Sequence, residues 1–242
     1  MAIRIFQKGF NFSQDGPGNR LVYHLCGCNL HCPWCSNPEG LSFTGGTEYS
    51  IDDLVDEVLR SSLLFFDGGG VTLTGGEATT QFDEVKALLS RLHSAGIHTC
   101  IETNGICQRL PELFPVLDLL IMDIKHYDTR IHQQVTGQNN TLTVQNIAAA
   151  LAVSQPLALR IPLIGGFNSS QADARGFAAL FSQLGIGEKA TLELLPYHEY
   201  GRDKYAALGM EYTMTDEARI QPLQLQVFRS ILANAGFPTI QT

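Results

Sequence analysis

Positive charge is scarce in these 242 residues: 16 lysines and arginines stand against 24 aspartates and glutamates, a formal charge of -8 with histidine neutral. Binding a polyanion takes a concentrated basic face that displaces counterions. No run of lysines and arginines supplies one, which argues against nucleic acid and leaves room only for a local basic pocket. Long apolar runs are missing too. The strongest, residues 116–124, is broken by Asp118 and Asp123 and falls well short of the roughly 18 residues of a membrane helix. Met1 to Phe10 carries Arg4 and Lys8 without an apolar stretch of signal-peptide length, so the expectation is a cytoplasmic protein without membrane contact. Six cysteines are too few to scaffold a chain of this size with disulfides.

Pro/Gly/Ser linkers, low-complexity stretches and repeats of 20 to 50 residues are likewise absent. With 44% apolar and 17% charged residues, the chain reads as ordered and globular, and residues 1–242 read as one domain. Short β-rich runs alternate with amphipathic segments, the pattern of parallel βαβ units. Strands are expected at Arg20–Leu25, Val71–Thr74, Ile97–Glu102, Asp118–Ile124, Leu157–Leu163 and Thr191–Leu195. Helical spacing appears in Ile51, Leu54, Val55, Val58 and Leu59, with Ser50 and Asp53 placed for a capping box. Further helices are expected at Phe82–His93, Thr143–Val153, Asp173–Leu184 and Pro222–Asn234, the last stopped by Gly236. Six right-handed βα units either close partly into a barrel or lie open as a doubly wound sheet. In both cases chemistry gathers at the carboxyl ends of the strands.

Four of the six cysteines crowd between Cys26 and Cys35, and Cys28, Cys32 and Cys35 are separated by three and then two residues. Three thiolates are one short of a closed structural zinc site. Zinc would have to recruit Cys26 or His31. An iron-sulfur cluster of four irons held by three thiolates leaves one iron open to an exogenous ligand, which suits a catalyst.

With Trp34 before the last cysteine, this block resembles the signature of the radical S-adenosylmethionine (SAM) enzymes. Asp15-Gly16-Pro17-Gly18-Asn19-Arg20 upstream and Ser36-Asn37-Pro38 downstream extend the resemblance to the activating enzymes of glycyl radical enzymes. Thr74-Gly75-Gly76-Glu77, Glu102-Thr103-Asn104-Gly105, Met122-Asp123-Ile124-Lys125, Arg160 and Leu194 to Gly201 agree in order, so the likeness covers nearly the whole chain. The 39 residues between Cys35 and Gly75 leave no room for the ferredoxin-like insert that many such activases carry. The compact form is most similar to the activases of pyruvate formate-lyase.

The resemblance implies an α/β fold, a partial (βα)6 barrel of parallel strands with helices outside. It implies that Cys28, Cys32 and Cys35 hold a 4Fe-4S cluster and that SAM chelates the open iron. Trp34 and the backbone of Ser36 then meet the adenine. Gly75, Gly76 and Glu77 meet the SAM amine. Glu102, Asp123, Ile124, Lys125, Arg160 and His198 surround its carboxylate and ribose. A monovalent cation is implied at Glu102, Thr103 and Asp123, although Glu102 stands where an aspartate is expected and Ile121 where a methionine is expected. Asp15 meets the partner's glycine loop. The implied reaction takes hydrogen from a glycine of that partner, a glycyl radical enzyme and most directly pyruvate formate-lyase. A low-potential donor such as flavodoxin or ferredoxin supplies electrons to a monomer. The alternatives are another glycyl radical enzyme, more remotely a small molecule, or a zinc or redox-binding module without catalysis. Cys26, Cys100 and Cys107, and His24, His31, His93, His98, His126 and His132, read as structural or surface groups.

Overall fold

The computed structural model describes residues 1–240. Fifteen helices and strands follow in chain order: β1 (Ala2–Phe12), β2 (Asn19–Leu25), β3 (Thr47–Ser50), α1 (Ile51–Arg60), β4 (Gly70–Gly75), α2 (Phe82–Ser94), β5 (Thr99–Thr103), β6 (Leu119–Asp123), α3 (Thr129–Thr136), α4 (Thr141–Ala152), β7 (Leu157–Leu163), α5 (Gln171–Leu184), β8 (Ala190–Pro196), α6 (Arg202–Ala207) and α7 (Pro222–Asn234). The fold is α/β, with a mostly parallel, unclosed sheet in the order β3-β1-β2-β4-β5-β6-β7-β8. Each of the six expected strands is present, with ends displaced by a residue or two. Among the described residues no helix is long and apolar enough to cross a membrane.

Strands β1 and β3 are additions to the expected set. β1 runs antiparallel to both β2 and β3, and its register slips between Ile5 and Gln7. That bulge moves the inward set out of strict alternation, and Lys8, Gly9 and Asn11 further dilute the strand signal. Four half-exposed or exposed residues make up β3, too few for a period to show. Helix α3 buries His132 and Thr136 instead of an apolar stripe, which hides it from hydrophobic periodicity.

Contacts divide the chain into two compact units, residues 1–29 with 37–121, and residues 30–36 with 122–242. In the first, β2 and β4 are parallel with Leu25 opposite Gly75, and β4 and β5 are parallel. The loops after these strands therefore leave on one side, which brings the start of the cysteine loop beside the Gly75-Gly76-Glu77 turn. Helix α2 buries Phe82, Val85, Leu88, Leu89 and Leu92 along one stripe, each worth about 1.5–3 kcal/mol of burial for the larger side chains. At the N-terminus of α1, the Asp53 amide donates to Ser50 Oγ at 3.1 Å, and the Ser50 hydroxyl donates to the Asp53 carboxylate at 2.7 Å. The full reciprocal capping box occurs in the second unit instead, at Ser170 and Asp173, and starts α5 two residues before Asp173. Gly236, at φ +91°, follows the end of α7 as expected.

In the second unit β7 and β8 are parallel, with Arg160 opposite Glu193. Phe177 of α5 meets Phe181, Phe228, Tyr127 and His126, with ring centroids 5.4–6.2 Å apart. His126 is fully buried within this cluster and stacks on Tyr127 at 4.6 Å. Its Nδ1 accepts from the Asp128 amide at 2.9 Å, so the hydrogen resides on Nε2, 3.8 Å from an Asp173 oxygen. Burial holds the His126 pKa below its ordinary value, with the Asp173 and Asp128 charges opposing. The folded pKa lies below the unfolded one of about 6.5, so this contribution to stability is complete above that value and is lost as pH falls toward the folded pKa. Urea unfolding at pH 7.5 and 5.5 checks this: wild type loses stability at the lower pH, by at most about 1.4 kcal/mol per pH unit for one proton, and His126→Asn loses less.

Candidate active site

The cysteine loop is shaped by turn chemistry. The Cys35 amide donates to the Cys32 carbonyl at 3.1 Å, closing a four-residue turn with Pro33 at its second position, where a fixed φ near −65° is favourable. Cys32 is buried and Cys35 half-buried. Burial pushes the Cys32 thiol up to about 11, with the Lys125 ammonium pulling it back and Cys35 and Asp123 adding to the rise. The turn is fastened from two sides. The His31 amide donates to the Thr136 carbonyl at the end of α3 at 2.9 Å, and Trp34 is buried against Phe167 with ring centroids 4.8 Å apart. Gly201 completes the support: a Cβ there would lie 2.2 Å from the Cys35 carbonyl oxygen. Glycine in the Leu-Pro-Tyr-His-Glu-Tyr-Gly segment thus lets that backbone lie directly on the last cysteine. Tyr205, one turn along α6, is buried, and its hydroxyl is pushed up to about 12 by burial and by the nearby Cys35 and Cys32.

In the first unit Cys28 is half-buried, and its neighbour Asn29 is built into a polar lattice. Asn104 Nδ2 donates to Asn29 Oδ1 at 2.7 Å, and Asn29 Nδ2 donates to the Ile106 carbonyl at 3.0 Å. Glu77, 2% exposed, anchors the lattice. Its Oε1 accepts from the Thr79 amide, the Thr79 hydroxyl and the Thr103 hydroxyl at 2.9, 2.5 and 2.7 Å, and its Oε2 accepts from the Asn104 amide at 2.7 Å. Gly75 and Gly76 let the chain turn into this residue. Gly75 has φ +119°, and a Cβ on Gly76 would sit 2.3 and 2.4 Å from the Gly40 and Gly27 carbonyl oxygens. The Gly76 amide donates to Leu25 and that of Glu77 to Gly27. Cys26 packs against this framework, its sulfur 2.6 Å from where a Gly46 Cβ would be, and burial raises its thiol pKa.

The remaining expected residues have partners of their own. Glu102 Oε2 accepts from the Thr74 hydroxyl at 2.8 Å. Asp123 pairs with Lys125 at 2.8 Å, and the Ile124 amide donates to the Arg160 carbonyl. Arg160 Nε donates to Glu193 Oε2 at 2.7 Å, a buried ion pair set by the β7–β8 register. His198 is exposed and stacks on Tyr200 at 4.0 Å. Of the three residues expected to hold a cation, Thr103 therefore donates to Glu77 and Asp123 faces an ammonium. Among the described residues no three His, Cys, Asp or Glu side chains form a group able to hold a metal ion.

Asp15 accepts from Asn11 Nδ2, and its carbonyl accepts from the Thr72 hydroxyl at 2.6 Å. Thr72 in turn accepts from Nε of Arg20 at 2.7 Å. Arg20 is fully buried and donates also to the carbonyls of Pro17, Gly68 and Val71. A buried guanidinium satisfied largely by carbonyls fixes several loops at once. Asn29, Thr79, Phe167 and Tyr205 are additions to the expected site residues, while Arg20 and Gly201 lie within motif segments that assign them no role of their own.

The match with known proteins decides the family. The model of the radical SAM superfamily matches residues 22–177. The chain belongs to the radical SAM superfamily. It is 34% identical over 205 residues to the pyruvate formate-lyase 1-activating enzyme of Escherichia coli (strain K12), covering 83% of this chain and 82% of the other. To the pyruvate formate-lyase-activating enzyme of Staphylococcus aureus (strain USA300) it is 34% identical over 213 residues, covering 84% of each. A solved radical SAM methyltransferase from Sphaerobacter thermophilus shares the fold, at TM-score 0.66 and 16% identity over 99% of this chain and 76% of that one. Radical SAM enzymes use a 4Fe-4S cluster and SAM. Three soft thiols spaced by three and two residues, with Lys125 as a compensating charge near Cys32, are the donor chemistry such a cluster takes, although their side chains do not form one metal-holding group in this structure.

The Glu77 lattice yields a test. Glu77→Gln replaces an acceptor with an amide NH2 group that faces N–H and O–H donors. The expected loss is about 2–3 kcal/mol of unfolding free energy, read by urea denaturation, with Glu77→Asp also destabilised because its shorter arm cannot reach Thr79 and Asn104 together.

Proposed function

We propose that this chain is the activating enzyme of a glycyl radical enzyme, with pyruvate formate-lyase as its partner. The observation that carries the reading is the Cys28, Cys32 and Cys35 spacing in a chain 34% identical to pyruvate formate-lyase-activating enzymes over 83% of its length. The bound cluster and SAM supply reductive carbon-sulfur cleavage to methionine and a 5'-deoxyadenosyl radical, which takes hydrogen from the α-carbon of one partner glycine.

The chain's own residues bind, orient and exclude water. Cys28, Cys32 and Cys35 would hold three irons, and the Cys32–Cys35 turn keeps two of those thiols in a fixed relation. Trp34, pinned between two ligands and backed by Phe167, offers an apolar face to the adenine, with the Ser36 backbone beside it. Glu77 keeps the 103–105 turn in place, and Gly75 and Gly76 bring backbone to the SAM amine. By the family likeness, Lys125, Arg160 and His198 would donate to the SAM carboxylate and ribose, and Glu102, Asp123 and Ile124 would stand beside them at strand ends. Lys125 supplies Asp123 with a positive charge. Asp15 faces the partner's glycine segment, which must leave the partner in extended form. The reading carries with it a monomer in the cytoplasm, served by a donor of flavodoxin or ferredoxin type.

Electron paramagnetic resonance tests it, on an anaerobic mixture of reconstituted protein, strong reductant, SAM and pyruvate formate-lyase from the same source. A glycyl doublet is expected. Accumulation of 5'-deoxyadenosine without a doublet would move the partner to another glycyl radical enzyme. Neither signal from a protein with an intact cluster would overturn the activase reading. Cys28→Ala, Cys32→Ala and Cys35→Ala each abolish 5'-deoxyadenosine formation, whereas Cys26→Ala retains most of it; turnover by Cys32→Ala would remove the cluster assignment.

A further inference from the structure

The first unit carries an exposed apolar rim that neither its core nor the site explains. Phe10 and Phe12 of β1 are 44% and 53% exposed, and Leu63, Leu64 and Phe66, in the segment after α1, are 95%, 49% and 52% exposed. Ring contacts join the two stretches, Phe10 to Phe65 at 6.2 Å and Phe12 to Phe66 at 5.8 Å, so the rim is continuous. Contiguous apolar surface of this kind marks an interaction site.

The rim is held in place. Leu63 and Leu64 sit in a short 3-10 turn, and Asp67 adopts φ +55°, a left-handed conformation that an aspartate takes only with local support. The same backbone is tied to the Asp15 turn. Asn19 donates from its amide to the Phe66 carbonyl at 3.1 Å and from Nδ2 to the Leu64 carbonyl at 2.8 Å. Gly18 lies so close that a Cβ would be 2.2 Å from the Phe66 carbonyl oxygen. Arg20 bonds the carbonyls of both Pro17 and Gly68. The apolar rim and the Asp15 turn are therefore one rigid surface. Beside them β1 has an open edge: β3 pairs only with Ala2–Ile5, and among the described strands none lies on that side of residues 6–12. Such an edge can receive an extended segment.

We propose that the rim formed by Phe10, Phe12, Leu63, Leu64 and Phe66 is the surface on which the glycyl radical enzyme partner docks. The proposal rests on the activase reading and names where that reading's protein substrate is gripped. Continuity with the Asp15 turn puts apolar docking next to the glycine-bearing segment. Charge argues against other occupants. The carboxylates of Asp15 and Asp67 flank the rim, exposed Arg60 stands three residues before Leu63, and Lys8, two residues from Phe10, is held by both Glu57 oxygens at 2.7 and 2.9 Å. An anionic lipid surface would meet two carboxylates and one guanidinium and gain little, and a second copy packed two-fold on the same patch would set the acidic groups against themselves. The partner face that fits is apolar with a basic border.

The test compares wild type with the Phe12→Ser/Leu63→Ser double variant and with Leu63→Glu alone, whose side chain is too exposed to affect folding. Anaerobic surface plasmon resonance against immobilised pyruvate formate-lyase should show Kd raised at least tenfold in both variants. The rate of 5'-deoxyadenosine formation without partner and the melting temperature should stay at wild-type values. An unchanged Kd, with wild type giving its glycyl doublet, overturns the docking surface and leaves the activase reading standing. Loss of self-association in sedimentation, or of binding to anionic vesicles, with partner affinity intact would also overturn it. Absence of a doublet and of partner binding in wild type would remove the activase reading itself, and this proposal with it.

Discussion

One buried carboxylate organises the first unit. Glu77 receives four hydrogen bonds from Thr79, Thr103 and Asn104, and each of these donors begins or ends a segment carrying motif residues. A carboxylate removed from water is costly unless its acceptor sites are filled, so the Gly75-Gly76-Glu77 turn and the Thr103-Asn104-Gly105 turn must stay together. Asn104 passes the constraint to Asn29, and Asn29 adjoins Cys28. The position of the first cysteine is thus linked by hydrogen bonds to the strand ends of β4 and β5.

The glycines of this region answer the same demand. Gly76 lies where the carbonyls of Gly27 and Gly40 leave no space for a methyl group, so its small size serves backbone packing before any ligand arrives. In the second unit the corresponding device is the Cys32–Cys35 turn, fastened by Thr136, Phe167 and Gly201. Each unit, taken by itself, holds its motif residues largely by contacts to the main chain. Arg20 has this role at the other end of β2, where its donors bond the carbonyls of Pro17, Gly68, Val71 and His98.

The six expected strands are legible in the sequence because they are apolar runs bounded by turn residues: Val71 to Leu73 are fully buried. β1 escapes such a reading because its bulge at Ile5/Gln7 shifts the inward set by one residue. The capping signals show a related weakness, since Ser-x-x-Asp occurs at both Ser50 and Ser170 and only the second forms the complete box. The chemistry of the cysteine block is legible from residue type and spacing alone. Partners are not. Nothing local to Arg160 announces Glu193, 33 positions away, because their meeting is decided by the register of two strands. Thr103 likewise reads as a polar strand end until the fold brings Glu77 to it.

Gly201 has a consequence for how the chain can be divided. Its backbone rests on the carbonyl of Cys35, although the two lie 166 positions apart in sequence. A fragment ending before β8 would keep every cysteine of the block and still lack the surface that backs the last of them. Such a truncated form would leave Cys35 open to oxidation and proteases, so proteolytic trimming of the C-terminal region should be felt first at the opposite end of the polypeptide.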